Sequence, residues 1–552
     1  MPRIIIDGQT IECRERVPVL QAALEAGWDV PHYCYHPGLS IVASCRLCLM
    51  EMKMPDPKTK ELAWSPKLVP SCQTPVRDGM EVRFDSPLVR ENRSHCMEYY
   101  LLNHPLDCPV CDQAGECYLQ DYSYNFGNAT SRMVDPKTKN PKKDVGSKTW
   151  LYQDRCVMCT RCVRFCAEVA GTAELCVTNR GNRAEIDVFP GIPLENPLQG
   201  NVVDICPVGA LLDKDFLMRQ RVWMLRSTDS VCPGCSTGCA IGVDHNEGRI
   251  WRLKPRFNPG VNDWWMCDEG RFGWKYVHDP RRITRAMIRR GADEERPDWQ
   301  EIPDVLRFRF RAIEQQQGGK TIAAVLSPFM ACEEAWLLAK FIRGIASEAT
   351  LVVGPAPVVG GDQCFPRTHS SGGNGNGDGA PPADKARFVI RAEKCPNRRG
   401  VERIVERMGG ARLSFAEFID AAGKGQFAAA WISGGSPTPW VEKPLVQAMG
   451  KVGFVLLHDI LPSDLLPLAG AVLPACAWAE REGSFMNHTG LVQPFEAALP
   501  PPEGAQRDGQ YLYALSGQVG LYRAETVRAM MAQEMPEFAQ VHEAPAAAEH
   551  AH

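Results

Sequence analysis

Apolar and polar positions change period along this chain, and each period predicts an element. Arg3–Ile6 and Gln9–Cys13 alternate as two strands around Asp7-Gly8, a strong hairpin signal. Pro18 opens a helix with Val19, Leu20, Ala23 and Leu24 on one side, and Met80–Phe84 reads as a closing strand after Asp78-Gly79. Ser86-Pro87 is an N-cap followed by a proline at the first helical position. Leu88, Asn92, Cys96, Tyr99 and Tyr100 continue that helix, which Pro105 ends. Residues 126–148 are polar, with Pro136, Pro141, Lys137, Lys139, Lys142 and Lys143, and read as a surface linker. Ala240–Asp244 and Arg249–Leu253 form a hairpin around Asn246-Glu247-Gly248.

From about residue 285 the pattern changes. Thr321–Leu326 reads as a buried strand and Leu351–Gly354, Ala428–Ser433 and Phe454–Asp459 as further strands, with helices at Ala331–Ile345 and around Glu442–Met449. Alternating strands and helices predict an α/β domain with a mostly parallel sheet. His369–Ala386 is rich in Ser, Gly, Asn and Pro and is expected to be disordered, as is the tail, 531–552. Ser433-Gly434-Gly435 after a strand is either a plain turn or a phosphate approach; no P-loop or complete Gly-x-Gly-x-x-Gly fingerprint appears.

Length allows about four domains for 552 residues. A net charge of −4 gives no sign of a nucleic-acid or membrane-surface binder. The most apolar stretch, Phe454–Ala477, is broken by His458, Asp459, Asp464 and three prolines, so no membrane span is expected. The N-terminus begins directly as a strand, with neither a signal peptide's apolar core nor an Arg/Ser-rich transit helix. The chain is therefore expected to stay in the compartment where it is made.

Cysteine changes the picture most. Of 23 cysteines, 19 precede residue 268, mostly in tight clusters. In a large chain without an export signal, clustered thiols point to metal ligation rather than disulfides. The first set is Cys34-x10-Cys45-x2-Cys48 with Cys72, a stretched relative of the plant-type pattern that fits a [2Fe–2S] centre, with zinc as the alternative. Pro37, Gly38 and Ser44 in its loop let backbone N–H groups turn toward the sulfurs. Cys13 reads as a core residue.

The second set, His104-x3-Cys108-x2-Cys111-x5-Cys117, offers one imidazole and three thiolates to one zinc or one iron–sulfur cluster. Cys96 and His95 lie outside its spacing. The third, Cys156-x2-Cys159-x2-Cys162 followed by Cys206-Pro207, is the bacterial ferredoxin signature for a [4Fe–4S] cubane; Cys166 and Cys176 read as structural. The fourth, Cys232-x2-Cys235-x3-Cys239-x27-Cys267, suits a further [4Fe–4S] cubane or a zinc knuckle. Four such sites in succession are better explained as an electron wire than as four zinc sites. No acid–base or nucleophilic set accompanies them, so the chain needs one partner as electron donor and another as acceptor.

His104-Pro-Leu-Asp-Cys-Pro-Val-Cys-Asp-Gln-Ala-Gly-Glu-Cys117, Cys156-Val-Met-Cys-Thr-Arg-Cys162-Val-Arg-Phe and Cys206-Pro-Val-Gly-Ala210 resemble the large iron–sulfur subunit of respiratory complex I, the bacterial NADH-quinone oxidoreductase. The resemblance spans residues 1 to about 280. It implies a β-grasp [2Fe–2S] domain (1–84) with ligands Cys34, Cys45, Cys48 and Cys72. It implies a helical domain (85–125) in which one histidine and three cysteines, His104, Cys108, Cys111 and Cys117, hold a [4Fe–4S] cluster. A bacterial-ferredoxin-like domain (149–222) would hold another on Cys156, Cys159, Cys162 and Cys206, and residues 223–280 an additional one on Cys232, Cys235, Cys239 and Cys267, remote from the main path.

The C-terminal half (285–530) more loosely resembles a shortened α/β molybdopterin-oxidoreductase domain, through Asp279-Pro-Arg-Arg-Ile-Thr-Arg285, Ala471-Val-Leu-Pro474 and Glu480-Arg-Glu-Gly-Ser-Phe-Met-Asn-His-Thr-Gly-Leu-Val-Gln493. Too few residues follow Cys267 to enclose a molybdenum centre, so no molybdopterin is expected. By resemblance the chain relays electrons from a flavin subunit that oxidises NADH toward quinone-proximal iron–sulfur subunits. The whole complex couples this transfer to proton translocation. The chain would then sit peripherally on the cytoplasmic side of the bacterial inner membrane. The alternatives are an NAD-linked formate dehydrogenase subunit, for which Cys364 is the one candidate metal ligand, an iron-hydrogenase-related carrier, and a zinc-rich scaffold.

Overall fold

The computed structural model describes residues 1–55, 61–290, 293–367, 381–409 and 411–545. The chain divides into two compact units, one built on Met1–Leu225 with Cys364–Phe388, the other on Arg226–Gln363 with Val389–Pro545.

The first unit begins with a mixed sheet in the order Gln9–Glu12, Arg3–Ile6, Glu81–Arg83, Leu49–Pro55, Leu62–Trp64. Asp7 and Gly8 both take positive φ, 50° and 84°, which gives the hairpin the turn that matches strand twist. Arg3–Ile6 runs parallel to Glu81–Arg83, so the chain must cross over between them. The helix Val19–Glu25 lies in that crossover and buries Val19, Leu20, Ala22 and Ala23. Cys13, Cys48 and Cys72 share the resulting core with Ile4, Ile6, Val82 and Phe84.

Ser86 caps the next helix, Pro87–Leu101, its Oγ accepting the Val89 N–H at 3.3 Å. A second helix, Tyr118–Phe126, buries Leu119 and Tyr122. Lys142–Asp144, expected to be linker, pairs antiparallel with Thr149–Tyr152. Its Lys143 bonds Asp187 at 2.5 Å and Glu185 at 3.1 Å. A charged edge strand looks like a loop in sequence because its polar side chains face water while its backbone pairs. Cys166 is fully buried in the turn after the helix Arg161–Phe165, and Cys176 lies in the hairpin Leu175–Thr178/Glu185–Val188.

Cys364–Arg367 packs on this first unit although it lies far along the chain. Phe365 is fully buried, and the Arg367 N–H donates to the Ala170 carbonyl at 3.0 Å. Gly171, with φ 77°, is needed there, since a Cβ would lie 2.0 Å from the Arg367 oxygen. Of the stretch expected to be disordered, His369–Ala386, residues 369–380 lie outside the described residues, as do residues 546–552 of the tail.

The second unit opens with the antiparallel strands Arg226–Val231, Ala240–Asn246 and Arg249–Pro255. Its centre is an eight-stranded sheet in the order Asp293–Glu295, Met287–Arg290, Ala471–Pro474, Phe454–Asp459, Ala429–Ser433, Ile322–Leu326, Thr350–Val353, Arg412–Leu413. From Ala471–Pro474 onward every pairing is parallel. Strand residues alternate between two cores: Ala324, Trp431, Leu456 and Leu473 face one, and Val325, Ile432, Leu457 and Val472 the other.

The expected disorder from residue 531 is not what the described part of the tail shows. Helix Ala524–Glu534 runs on into Pro536–Phe538, with Val527, Met531, Met535 and Phe538 buried against the first of these cores. The near-helical spacing of those four apolar residues carries the fold past the predicted boundary. His542 continues it, its N–H donating to the Val492 carbonyl at 2.7 Å and its ring bonding Asn258.

Candidate metal centres

Three of the four predicted ligand sets lie in the first unit, and one hydrophobic core joins them. Cys34 and Cys45, Cys117, and Cys159 share it with Tyr33, Met97, Leu119, Tyr122, Val157, Val208 and Ala210; Cys156 and Cys206 pack at its edge. Chain order puts the histidine set between the other two. In space Arg164 ties the first set to the third directly, donating to the Cys34 carbonyl at 2.5 Å and the Cys159 carbonyl at 3.2 Å. Tyr33 stands between the first and second sets: its N–H donates to Cys45 Sγ at 3.5 Å and its ring packs 5.6 Å from that of Tyr122.

In the first set Cys34, Cys45, Cys48 and Cys72 are all buried. Cys34 is in contact with Cys45, and Cys48 with Cys72. Within each pair the neighbouring thiol's hydrogen bond acidifies one partner, Cys34 to about 5 and Cys48 to about 7, while Cys45 and Cys72 are pushed up. Iron would take the place of the shared protons. Backbone groups of Ser44 and Cys45 turn toward Cys34, as expected of this loop. Gly38 does not join them; its N–H goes to the His36 ring. Ala43 and Arg46 make the turns instead, at φ 50° and 62°.

His104, Cys108, Cys111 and Cys117 line one cavity of about 510 Å³ with Lys137, Arg155 and Gly209. Burial, then the positive Arg155 and Lys137, lowers the His104 pKa to about 4. The imidazole is therefore neutral at neutral pH, the form a metal needs. Burial pushes Cys117 up to about 12 and raises Cys111, whereas Cys108 is exposed.

Cys156, Cys159, Cys162 and Cys206 line a narrow apolar cleft with Leu151, Ile186, Val208, Leu211 and Arg161. Met158 and Thr160 take left-handed φ of 51° and 60°, and the Met158 N–H donates to Cys156 Sγ at 3.4 Å. Backbone groups of Leu211, Val208 and Ala210 turn toward Cys206.

The fourth set belongs to the second unit. Its hairpin returns the chain as expected, with Glu247 and Gly248 at φ 49° and 74°. Cys232, Cys235, Cys239 and Cys267 are buried, and Cys267 Sγ accepts the Gly270 N–H at 3.4 Å. Gly270 must be bare, since a Cβ would lie 2.7 Å from Cys232 Sγ. Burial pushes Cys232 up to about 12.

Among the described residues no three His, Cys, Asp or Glu side chains converge on the position of one bare ion. Cluster binding is supported by the composition of the sets, their burial and the N–H donors around them. Sequence reasoning missed the cations. Arg155, Arg161 and Arg164 are all buried, and a ligand set of thiolates in an apolar core needs such compensation. Their signal was present: one immediately before Cys156, one between Cys159 and Cys162, one just after Cys162.

The second unit offers no comparable welcome to a pterin phosphate at its glycine pair. Gly434 and Gly435 follow a parallel strand, where α/β sheets hold ligands. The Asp459 carboxylate fills that place, accepting the Gly435 N–H at 2.7 Å, the Ile460 N–H at 2.8 Å and the Trp440 indole N–H at 2.9 Å. A buried carboxylate repels a phosphate and has already taken its donors. Cys364 belongs to the first unit rather than to the unit with the parallel sheet.

Comparison with known proteins gives a matching domain series. Residues 3–87 match a 2Fe-2S iron-sulfur cluster binding domain, 93–132 the NADH-ubiquinone oxidoreductase-G iron-sulfur binding region, and 146–212 the ferredoxin-like domain of NADH-quinone oxidoreductase subunit 3. Residues 225–279 match the molybdopterin oxidoreductase Fe4S4 domain and 396–518 the molybdopterin oxidoreductase family. The NADH-quinone oxidoreductase G subunit of Rickettsia bellii is 35% identical over 348 residues, 62% of this chain and 48% of the relative. The 75 kDa subunit of NADH-ubiquinone oxidoreductase from Reclinomonas americana is 33% identical over 65% of this chain and 50% of its own length. The mitochondrial iron-sulfur protein 1 of NADH dehydrogenase from Solanum tuberosum is 40% identical over 52% of this chain and 38% of its own length. The chain thus spans about half the length, or less, of these curated relatives. A solved NAD+-reducing [NiFe]-hydrogenase aligns with 40% of this chain and 91% of its own at 26% identity, with a TM-score of 0.34, too loose a superposition to bear on the fold.

Proposed function

We propose, from its similarity to the large iron–sulfur subunits of the NADH-quinone oxidoreductases, that this chain is an electron-relay component of such a complex. The observation that carries the proposal is the single hydrophobic core into which three ligand sets are built. One [2Fe–2S] and three [4Fe–4S] clusters, when bound, supply one-electron redox centres. The first is held by Cys34, Cys45, Cys48 and Cys72. The others are held by His104, Cys108, Cys111 and Cys117, by Cys156, Cys159, Cys162 and Cys206, and by Cys232, Cys235, Cys239 and Cys267.

The protein's own part is to ligate, to exclude water and to balance charge. Tyr33, Tyr100 and Tyr122 wall the first two sets with packed rings, Tyr33 and Tyr100 edge to face at 5.0 Å. Arg161 and Arg164 bring fixed positive charge to the first and third sets. Electrons would enter from a flavin subunit that oxidises NADH and leave toward quinone-proximal iron–sulfur subunits. Among the described residues no helix is long and apolar enough to cross a membrane, and we place the chain peripherally, on the cytoplasmic side, through its complex. The second unit would act without molybdopterin, since Asp459 occupies its glycine turn.

His104 provides the test of the ligand assignment. Replacing a thiolate by neutral imidazole makes a cluster less negative and raises its potential, as in Rieske centres. His104→Cys should keep a cubane and lower its midpoint potential in a redox titration followed by electron paramagnetic resonance. An unchanged titration would remove His104 from the ligand set.

A further inference from the structure

Arg155 directly precedes Cys156 in the third set, yet its head group is sent to the second. Its side chain is 2% exposed. Nη2 and Nε donate to Asp107 Oδ2 at 2.9 and 3.2 Å, Nη1 donates to the Gly209 carbonyl at 3.4 Å, and the guanidinium lies 4.2 Å from the centre of the Tyr152 ring. Asp107 is the residue before Cys108. A Cβ on Gly209 would lie 2.2 Å from Cys111 Sγ and 3.8 Å from Arg155 Nη1, so thiol and guanidinium approach the same spot. Arg155 accordingly forms part of the wall of the cavity lined by His104, Cys108, Cys111 and Cys117. Arg161, only six residues on, lines the cleft of the third set instead.

A guanidinium cannot lose its proton, and five donors in a rigid fork keep it in one place. Held in a partly desolvated wall, its charge favours the more negative, reduced state of whatever occupies the cavity. We infer that Arg155 sets the redox potential of the cluster bound by His104, Cys108, Cys111 and Cys117, with Asp107 as the counter-charge that fixes and moderates it. This rests on the ligand assignment proposed above. Arg155 is a positioning residue for charge and does not itself ligate. Lys137 also lines the cavity, but it is partly exposed, so water screens its charge more.

The test uses Arg155→Gln, Arg155→Lys and Asp107→Asn in the full chain, with iron content measured beside a redox titration followed by electron paramagnetic resonance. Arg155→Gln should lower the midpoint of this cluster by about 59 mV or more, a tenfold fall in its reduced-to-oxidised ratio at fixed potential. Arg155→Lys should lower it less, and Asp107→Asn should raise it. The Cys34-set cluster should hold its potential throughout. A loaded Arg155→Gln protein with an unshifted midpoint would overturn the inference. So would a fall in both Arg155→Gln and Asp107→Asn, because a purely mechanical pair moves the site the same way whichever partner is lost. If Arg155→Gln fails to load, Asp107→Asn decides: a rise supports the role, and no change or a fall overturns it. Absence of this cluster from the wild-type chain is a different result, and defeats the ligand assignment itself.

Discussion

Gly209→Ala should strip the iron from the His104, Cys108, Cys111 and Cys117 site while leaving the chain folded. The added Cβ would sit 2.2 Å from Cys111 Sγ and 3.2 Å from the Gln113 Cβ. Neither can give way cheaply, because Cys111 must keep its place to ligate and Arg221 donates to its carbonyl at 2.9 Å. Overpacking of this kind costs about 1–3 kcal/mol, little enough for the domain to survive and enough to dislodge a thiol. Iron analysis should fall by about four atoms per chain or more, with the far-UV spectrum retained. Full iron retention would mean that the thiol is not held where the structure puts it.

Trp431→Ala should have the largest effect on stability, and it should leave the first three ligand sets alone. Trp431 is fully buried in the middle parallel strand, with Phe310 at 6.1 Å, Phe341 at 6.0 Å and His458 at 6.4 Å between ring centres. Removing a buried tryptophan leaves a large cavity and costs about 3–5 kcal/mol. Its indole N–H has no hydrogen-bond partner among the described residues, so the truncation orphans nothing and the loss is one of packing. The urea midpoint of the second unit should drop, and Trp431→Phe should restore much of it. Since Trp431 and the first three sets belong to different units, iron in those sets should be unchanged. An unshifted midpoint would contradict this core.

Local chemistry was legible in the sequence wherever one short segment decided it. Asp7-Gly8 and Asn246-Glu247-Gly248 fix turns that need positive φ, and the structure has them. The apolar runs ending at Leu326, Ser433 and Asp459 read as strands, and they pair in parallel. Cysteine spacing singled out the proposed ligand sets because most of each set falls within one short loop.

What the sequence hid was set by residues distant in the chain. Gly209 looks like any loop glycine until Cys111 comes up against it. Arg155 looks solvent-facing beside Cys156 until Asp107 and Gly209 enclose it. Cys364–Arg367 borders a Gly/Ser-rich stretch, and nothing local foretells the docking of Arg367 beside Ala170 and Gly171. The helix end at Val527, Met531 and Met535 was masked by the Ala- and Glu-rich composition that follows it. Asp459 is the instructive case: a Gly-Gly turn after a strand invites a phosphate, and only the tertiary structure shows a carboxylate already there.

The central claim, that the four ligand sets hold iron–sulfur clusters, is tested most directly by metal analysis of the anaerobically prepared chain, read together with its visible absorption. The account predicts about 14 iron atoms per chain, no stoichiometric zinc or molybdenum, and broad visible absorption that bleaches on reduction. Zinc bound in proportion to the thiol sets, in a colourless protein, would contradict it.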